Sequence, residues 1–327
     1  MAFTVVYNGE CDPIPLKEVY AETLRDLMEK NSAVCAGEAD IANGMWAPNT
    51  QKMRERYPDR FYDVGIQEAD MVGIACGLSA GGKIPYVHSF APFVTRRTYD
   101  VIFVSGAYGH LNIRLIGSDP GVTAVYNGGT HMCFEDVGIM RCIPQMTIVD
   151  ITDGVMLEDV LRQSAGIYGM FYLRFARGIK APAIYGKGST FTFGKANVLR
   201  EGSDLTIIAS GILVSEALIA AEQLKAQGIS ARVVDIFTIK PIDTELIQKC
   251  AAETGAVVTA ENHNIIGGLG SAVAEVLALK GPFCPVEMVG VQDEFGEVGD
   301  MKYLVKRFGL NAETIQKKAL DVLKRKK

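Results

Sequence analysis

Short apolar runs of strand length alternate with longer helical stretches along this whole chain, and that alternation fixes the fold class before any single residue is weighed. In the first half, residues 33–36, 61–64, 84–87, 113–117, 147–150 and 171–175 read as strands. Residues 16–30, 68–80, 92–106, 135–141 and 153–167 read as helices between them. Within 68–80, Met71, Ile74, Ala75 and Leu78 are predicted to share one buried face. From 177 to 194 the pattern lapses into RGIKAPAIYGKGSTFTFG, whose glycines and proline mark a linker or an arm. It then resumes with strands at 205–209, 231–235, 256–260 and 286–291 and helices at 212–227, 243–253, 270–279 and 302–308. Gly228 and Gly255 stand where helix C-caps belong. Strands separated by helices of this length need βαβ crossovers. The expected class is α/β: two three-layer α/β domains with mostly parallel sheets, at 1–180 and 196–327, joined by a linker at 181–195. A length of 327 residues suits two domains of about 150 each.

Composition narrows the function classes. A net charge of −5 with mixed signs argues against a nucleic-acid groove or an anionic-membrane patch, both of which need clustered cations. The basic run Lys324–Lys327 reads as a solvated helix end. Seven cysteines without CxxC spacing suit a reducing compartment and form neither a disulfide framework nor a zinc site. The opening MAFTVVYNGECDPIP lacks the charged start and apolar run of a signal peptide. No apolar stretch reaches the ~18 residues of a membrane span. Cytoplasmic is the expected location.

The segment DVGIQEADMVGIACGLSAGGKIPYVHSFAPF, residues 63–93, concentrates the chemistry. Glu68 stands where a strand turns into a helix, at the carboxyl end of the strands, where α/β sheets bind ligands. Taken alone it is also the ordinary carboxylate that complements a helix dipole. Ala69, Gly73 and Gly77 recur every four residues on one helix face. Each glycine costs about 1 kcal/mol relative to alanine, so close approach of another helix, such as a symmetry mate, is a reason to keep them. Phe90 and Phe93 follow the next strand on the same rim, as core aromatics or as a slot for an aromatic ring.

That segment resembles the pyrimidine-binding part of thiamine-diphosphate enzymes, of transketolases in particular. Downstream, GGTHMCFEDVGIMRCIPQMTIV is similar to the family's Thr-His segment, and TAENHNIIGGLGSAVAEVL and VQDEFGEVGD are similar to its C-terminal domain. The resemblance implies that Glu68 hydrogen-bonds the cofactor's aminopyrimidine and favours the tautomer that deprotonates the thiazolium carbon. It implies that Phe93 stacks on the pyrimidine, that Phe90 lines the same pocket, and that Asp40 lies near the cofactor. His131 corresponds to the Thr-His histidine on the substrate side. Arg177 corresponds to an arginine that binds the donor's terminal phosphate. Lys17 stands where many relatives carry a second anion-binding arginine, and gives a point charge in place of a fork.

Three departures concern the donor end. Asp119 replaces a histidine, Asn127 an aspartate, and Gly44 a small hydroxyl residue that helps hold phosphate. A carboxylate at 119 repels a phosphate unless it is turned away or paired, which points to an unusual ketose: branched, non-phosphorylated or sulfonated. The Gly-Asp-Gly motif that holds Mg²⁺ and the diphosphate is absent from the sequence. IGGLGSA at 266–272 lacks the third glycine and the acidic residue of a dinucleotide loop, and is expected to start a helix. The resemblance therefore implies the C-terminal subunit of a split transketolase. An N-terminal partner subunit would bring the diphosphate and Mg²⁺ site, in a heterotetramer (α₂β₂) built on a core dimer of this chain, acting on small sugar substrates. Alternatives are the beta subunit of a 2-oxoacid dehydrogenase's decarboxylating component, a deoxyxylulose-phosphate-synthase-like enzyme, or a non-catalytic dimerising subunit. The Thr-His segment and FGEVGD favour transketolase over the first. The single long chain usual for the second argues against it. Retention of Glu68 with both phenylalanines argues against the third.

Overall fold

The computed structural model describes residues 3–41 and 49–326. The chain divides into two compact units that interleave in sequence. The first comprises Met1–Pro120, Ile139–Val149 and Asp153–Phe191, and the second Gly121–Gly138, Asp150–Thr152 and Thr192–Lys327. Both are α/β with mostly parallel sheets.

In the first unit the strands are β1 (Val34–Glu38), β2 (Phe61–Asp63), β3 (Ile84–Phe90), β4 (Arg114–Ser118), β5 (Thr147–Asp150) and β6 (Phe171–Phe175), laid side by side in the order β5-β6-β4-β3-β1-β2. The pairs β1–β2, β1–β3, β3–β4 and β4–β6 are parallel, so their carboxyl ends share one rim. β1, β4 and β6 are buried at every residue, as expected of strands covered on both faces. The helices of this unit include α1 (Leu16–Lys30), α2 (Asn49–Arg56) and α3 (Glu68–Ala80). The bounds of α1 and α3 are those their apolar spacing predicts.

Two expectations change here. The helix expected at 92–106 is α4 (Ala91–Thr95) followed by a π-helix at Val101–Tyr108. Thr95 and Thr98 donate their hydroxyls to the carbonyls of Ala91 and Val94 at 2.6 and 2.7 Å. Such back-bonding competes with the helical ladder and bends helices. The buried face of α3 is Met71, Val72, Ala75, Cys76 and Ser79, with Ile74 and Leu78 only half-buried. α3 packs against both β3 and the π-helix, so two neighbours rather than one determine what is covered. Gly73 and Gly77 lie on the uncovered side, where an added Cβ would meet nothing within 4 Å.

The sequence's glycine- and proline-rich stretch is an arm rather than a free connector over its first part. Val6 and Asp12 donate main-chain N–H groups to Ile184 and Ala181 at 2.9 and 2.7 Å. Asp153, the N-cap of α6 (Gly154–Ser164; α5 is Asp136–Arg141), accepts from Met156 N–H at 2.9 Å. Its second oxygen accepts from Ile184 and Tyr185 N–H at 3.0 and 2.7 Å, fastening the arm to the helix start.

The second unit holds β7 (Asn197–Arg200), β8 (Leu205–Ala209), β9 (Ala231–Asp235), the short β10 (Thr238–Lys240), β11 (Val257–Asn264) and β12 (Val286–Val291). Five of these form a sheet in the order β12-β11-β8-β9-β7, parallel except for the edge strand β7. α7 (Leu213–Lys225), α8 (Thr244–Thr254), α9 (Leu269–Lys280), α10 (Met301–Arg307) and α11 (Ala312–Lys324) complete it. Gly255 ends α8 in the left-handed conformation, φ +66°, as its position predicts. The loop IGGLGSA does start a helix. Buried Glu261 accepts from Leu269 and Gly270 N–H at 2.6 and 2.8 Å, covering the first turn of α9 with a carboxylate. β7, β10, α2 and α11 have no counterpart in the sequence pattern. The strands among these have three or four residues, too few for a periodic signal.

Candidate active site

Six elements of the first unit bring polar and aromatic side chains to the carboxyl rim of its sheet. After β2, a turn delivers Glu68 as the first residue of α3, where the helix N-terminus favours a carboxylate. Glu68 is only 2 % exposed. One of its oxygens accepts from the Ser89 hydroxyl at 3.2 Å and the other from Arg97 Nη1 at 2.5 Å. Ser89 lies near the end of β3, and Arg97 follows α4 with its side chain 44 % exposed.

Phe90 ends β3 and Phe93 lies in α4. Their rings meet edge to face, centroids 5.9 Å apart. Arg97 lays its guanidinium over Phe93, 4.3 Å from the centroid, and Arg177 does the same over Phe90 at 4.9 Å. Arg177, just past β6, donates from Nε to Asp119 at 2.7 Å. Its main-chain N–H also donates to Asp119, at 3.0 Å. Asp119 takes a left-handed conformation, φ +52°, immediately after β4. The result is an unbroken chain of contacts: Asp119, Arg177, Phe90, Phe93, Arg97, Glu68.

Burial dominates the electrostatics at the Asp119 end. It pushes the Asp119 carboxyl up to about 6 although Arg177 pulls the other way. It also lowers Arg177 from the usual guanidinium range. His88, fully buried in β3, is held well below the ordinary histidine range by burial first and by Arg177 second, so it is neutral. Glu38, at the end of β1, is raised to about 8 by burial and by the nearby Asp63 and Asp40 carboxylates. Asp40 is exposed just beyond it and, at φ +54°, donates its N–H to Asp63 Oδ1 at 2.9 Å.

Of the residues singled out from the sequence, Glu68, Phe90, Phe93, Arg177 and Asp119 converge in this rim. Lys17 joins them through its backbone, donating its N–H to the Arg177 carbonyl at 3.1 Å from the first turn of α1. Asn127 and His131 belong to the second unit. There Asn127 Nδ2 donates to the carbonyls of Ala124 and Val125 at 3.0 and 3.2 Å, and His131 Nδ1 lies 2.9 Å from the Thr130 hydroxyl. Their segment is tied to β11 of the same unit, where the Asn262 side chain accepts from Val122 N–H at 3.0 Å. Gly121, at φ +56°, makes that approach possible, since a Cβ there would sit 2.1 Å from Asn262 Oδ1. Gly44 lies outside the described residues. Sequence reasoning missed Arg97 and Ser89; nothing in an exposed Arg-Arg pair or a strand serine distinguishes them without the fold.

A buried carboxylate at a helix start, beside a half-buried Phe93 face, fits a flat nitrogen heterocycle with donors on its edge. Among the described residues no cluster of His, Cys, Asp and Glu is arranged to hold a metal ion. Nor is any helix there long and apolar enough to cross a membrane.

Comparison with known proteins matches residues 12–180 to the transketolase pyrimidine-binding domain and 194–315 to the transketolase C-terminal domain. This chain belongs to the transketolase family. It is 47 % identical to a 6-deoxy-6-sulfo-D-fructose transketolase subunit, SqwH, of Clostridium sp. (strain MSTE9), over 95 % of each chain. It is 33 % identical to an apulose-4-phosphate transketolase subunit of Phocaeicola vulgatus, over 95 % of this chain and 98 % of that one. A solved split-gene transketolase, described as an inactive beta4 tetramer, superposes with a TM-score of 0.88 at 38 % identity, covering 96 % of this chain and all of the other. The chain thus matches single transketolase subunits, one of them from a split-gene enzyme, over nearly the whole length of each. Thiamine diphosphate is the cofactor the family implies.

Proposed function

We propose that this chain is the pyrimidine-holding, C-terminal subunit of a two-chain transketolase that moves a two-carbon ketol unit from a ketose to an aldose. The observation that carries the reading is Glu68, buried at the start of α3 against Ser89 with the Phe90–Phe93 pair beside it. Thiamine diphosphate, when bound, supplies the electron sink for breaking and making the carbon–carbon bond. Glu68 would hold a proton at its carboxylate against the pyrimidine ring, while Phe93 offers a stacking face and Phe90 walls the pocket. Asp40 would lie beside the cofactor. The N-terminal partner subunit would bring the diphosphate and Mg²⁺ ligands, two copies of each chain assembling around a core dimer.

His131 would lie on the substrate side as a catalytic residue, and Lys17, Arg177, Asp119 and Asn127 would bind the donor. Because Asp119 neutralises Arg177, the donor end suits a singly charged sulfonate better than a phosphate carrying nearly two charges. A sulfonated ketose is accordingly the donor class we favour, in line with the sulfofructose named for the 47 % identical relative.

The test uses the chain alone and then with its partner. Calorimetric titration with thiamine diphosphate and Mg²⁺ should show little binding until the partner is added, and tight binding by the single chain would sink the two-chain reading. In the assembled enzyme, Glu68→Gln should keep fold and assembly but slow thiazolium proton exchange, followed by NMR, by about 10²–10⁴-fold. Exchange as fast as wild type would return Glu68 to a helix-start carboxylate.

A further inference from the structure

Arg97 touches both groups that the proposed function assigns to the cofactor's pyrimidine. Its Nη1 sits 2.5 Å from Glu68 Oε2, and its Cζ lies 4.3 Å from the centre of the Phe93 ring. A guanidinium is a flat N–C–N unit that stacks on aromatic faces and donates in its plane to a carboxylate. An aminopyrimidine presents the same features: a flat ring and an N–C–N edge. The charge comes from the solvent side, for the Arg97 side chain is 44 % exposed while that of Glu68 is 2 % exposed. A carboxylate so buried is costly without a partner, and among the described residues Arg97 is the cation that pairs with it. We propose that Arg97 is a built-in placeholder for the pyrimidine. It occupies the Glu68 carboxylate and the Phe93 face while the site lacks cofactor, and it swings to solvent when the ring arrives.

This inference rests on the thiamine-diphosphate reading of the site. Its consequence is competition: cofactor must displace the guanidinium, so the chain binds it more weakly, and more slowly, than an unobstructed pocket would. Removing the side chain relieves that competition. An ion pair with one exposed partner and a cation–π contact are each modest, so the expected gain is roughly tenfold in affinity, ~1.4 kcal/mol.

The experiment is calorimetric titration of the complete complex, this chain with its diphosphate-binding partner, with thiamine diphosphate at fixed Mg²⁺. Arg97→Ala should lower Kd roughly tenfold and speed the binding phase in stopped flow. Arg97→Lys should fall between wild type and Arg97→Ala, because an ammonium reaches the carboxylate but cannot stack flat. In a Glu68→Gln background the gain from Arg97→Ala should shrink. An unchanged or weaker affinity in Arg97→Ala overturns the placeholder and makes Arg97 a residue that positions Glu68 for the ring. An equal gain in the Glu68→Gln background overturns it as well. If neither wild type nor Arg97→Ala binds the cofactor, the thiamine-diphosphate reading itself fails, and the placeholder with it.

Discussion

Removing Asp119 alone should damage the fold more than removing Asp119 and Arg177 together. Asp119 and Arg177 are 4 % and 9 % exposed, and the carboxylate accepts from both the guanidinium and the main chain of Arg177. Burial nonetheless shifts both groups toward their neutral forms, Asp119 up to about 6 and Arg177 downward. Desolvation therefore outweighs attraction, and the intact pair contributes little net stability. Asp119→Ala leaves a buried cation uncompensated, which costs about 3–5 kcal/mol. For a unit of this size that is a fall of roughly 6–20 °C in melting temperature. Asp119→Leu with Arg177→Met replaces the pair by apolar groups of similar bulk and should be near neutral. Melting curves of the isolated chain by circular dichroism at pH 7.5 compare the three. The pH dependence adds a sign. Because the folded carboxyl sits at about 6 against an ordinary value of 3.8, protonation favours the folded state. That contribution is complete below about 4 and is lost as pH rises through about 6, a slope the double variant should flatten. A single variant that melts within a degree of wild type, or a double variant as damaged as the single, would refute the reasoning.

Two further outcomes follow from other parts of the first unit. Glu38, raised to about 8 from an ordinary 4.5 by burial and by Asp63 and Asp40, stabilises the fold below about pH 4.5 and loses that contribution as pH climbs through about 8. Glu38→Gln should make stability, measured by urea unfolding at pH 5 and pH 8.5, depend less on pH; an undiminished slope would assign the titration elsewhere. Leucine at Gly73 or Gly77 meets open space in the single chain, so the chain's own stability should hold or rise by the helix-propensity gain of up to about 1 kcal/mol. On the core-dimer reading proposed above, the mass by light scattering should drop instead, since a leucine would wedge apart helices packed closely between copies. Unchanged mass with full activity would place the interface elsewhere.

What the sequence determined by itself is what a window of a dozen residues encodes. The bounds of α1 and α3, the strands at 147–150, 171–175, 205–209, 231–235 and 286–291, and the C-cap at Gly255 all follow from apolar period and turn chemistry. The strand-to-helix position of Glu68 and the aromatic pair that follows β3 are legible in the same way. The tertiary structure alone decided which distant residues meet. Asp119 and Arg177 are 58 positions apart and become neighbours only because β4 and β6 lie side by side. Arg97 reaches Glu68 because α3 and α4 leave adjacent regions of the same rim, a placement no local pattern carries. The covered side of α3 departs from its periodicity for the same reason: an apolar period says that a helix has a buried face, but the β3 and π-helix surfaces around α3 say which face it is. The division into interleaved units belongs there too, because residues 121–138 join β11 through a hydrogen bond spanning 140 positions of chain. Local order is fixed by backbone and side-chain preferences within a few turns, whereas ion pairs and burial depend on which surfaces the sheet order brings together.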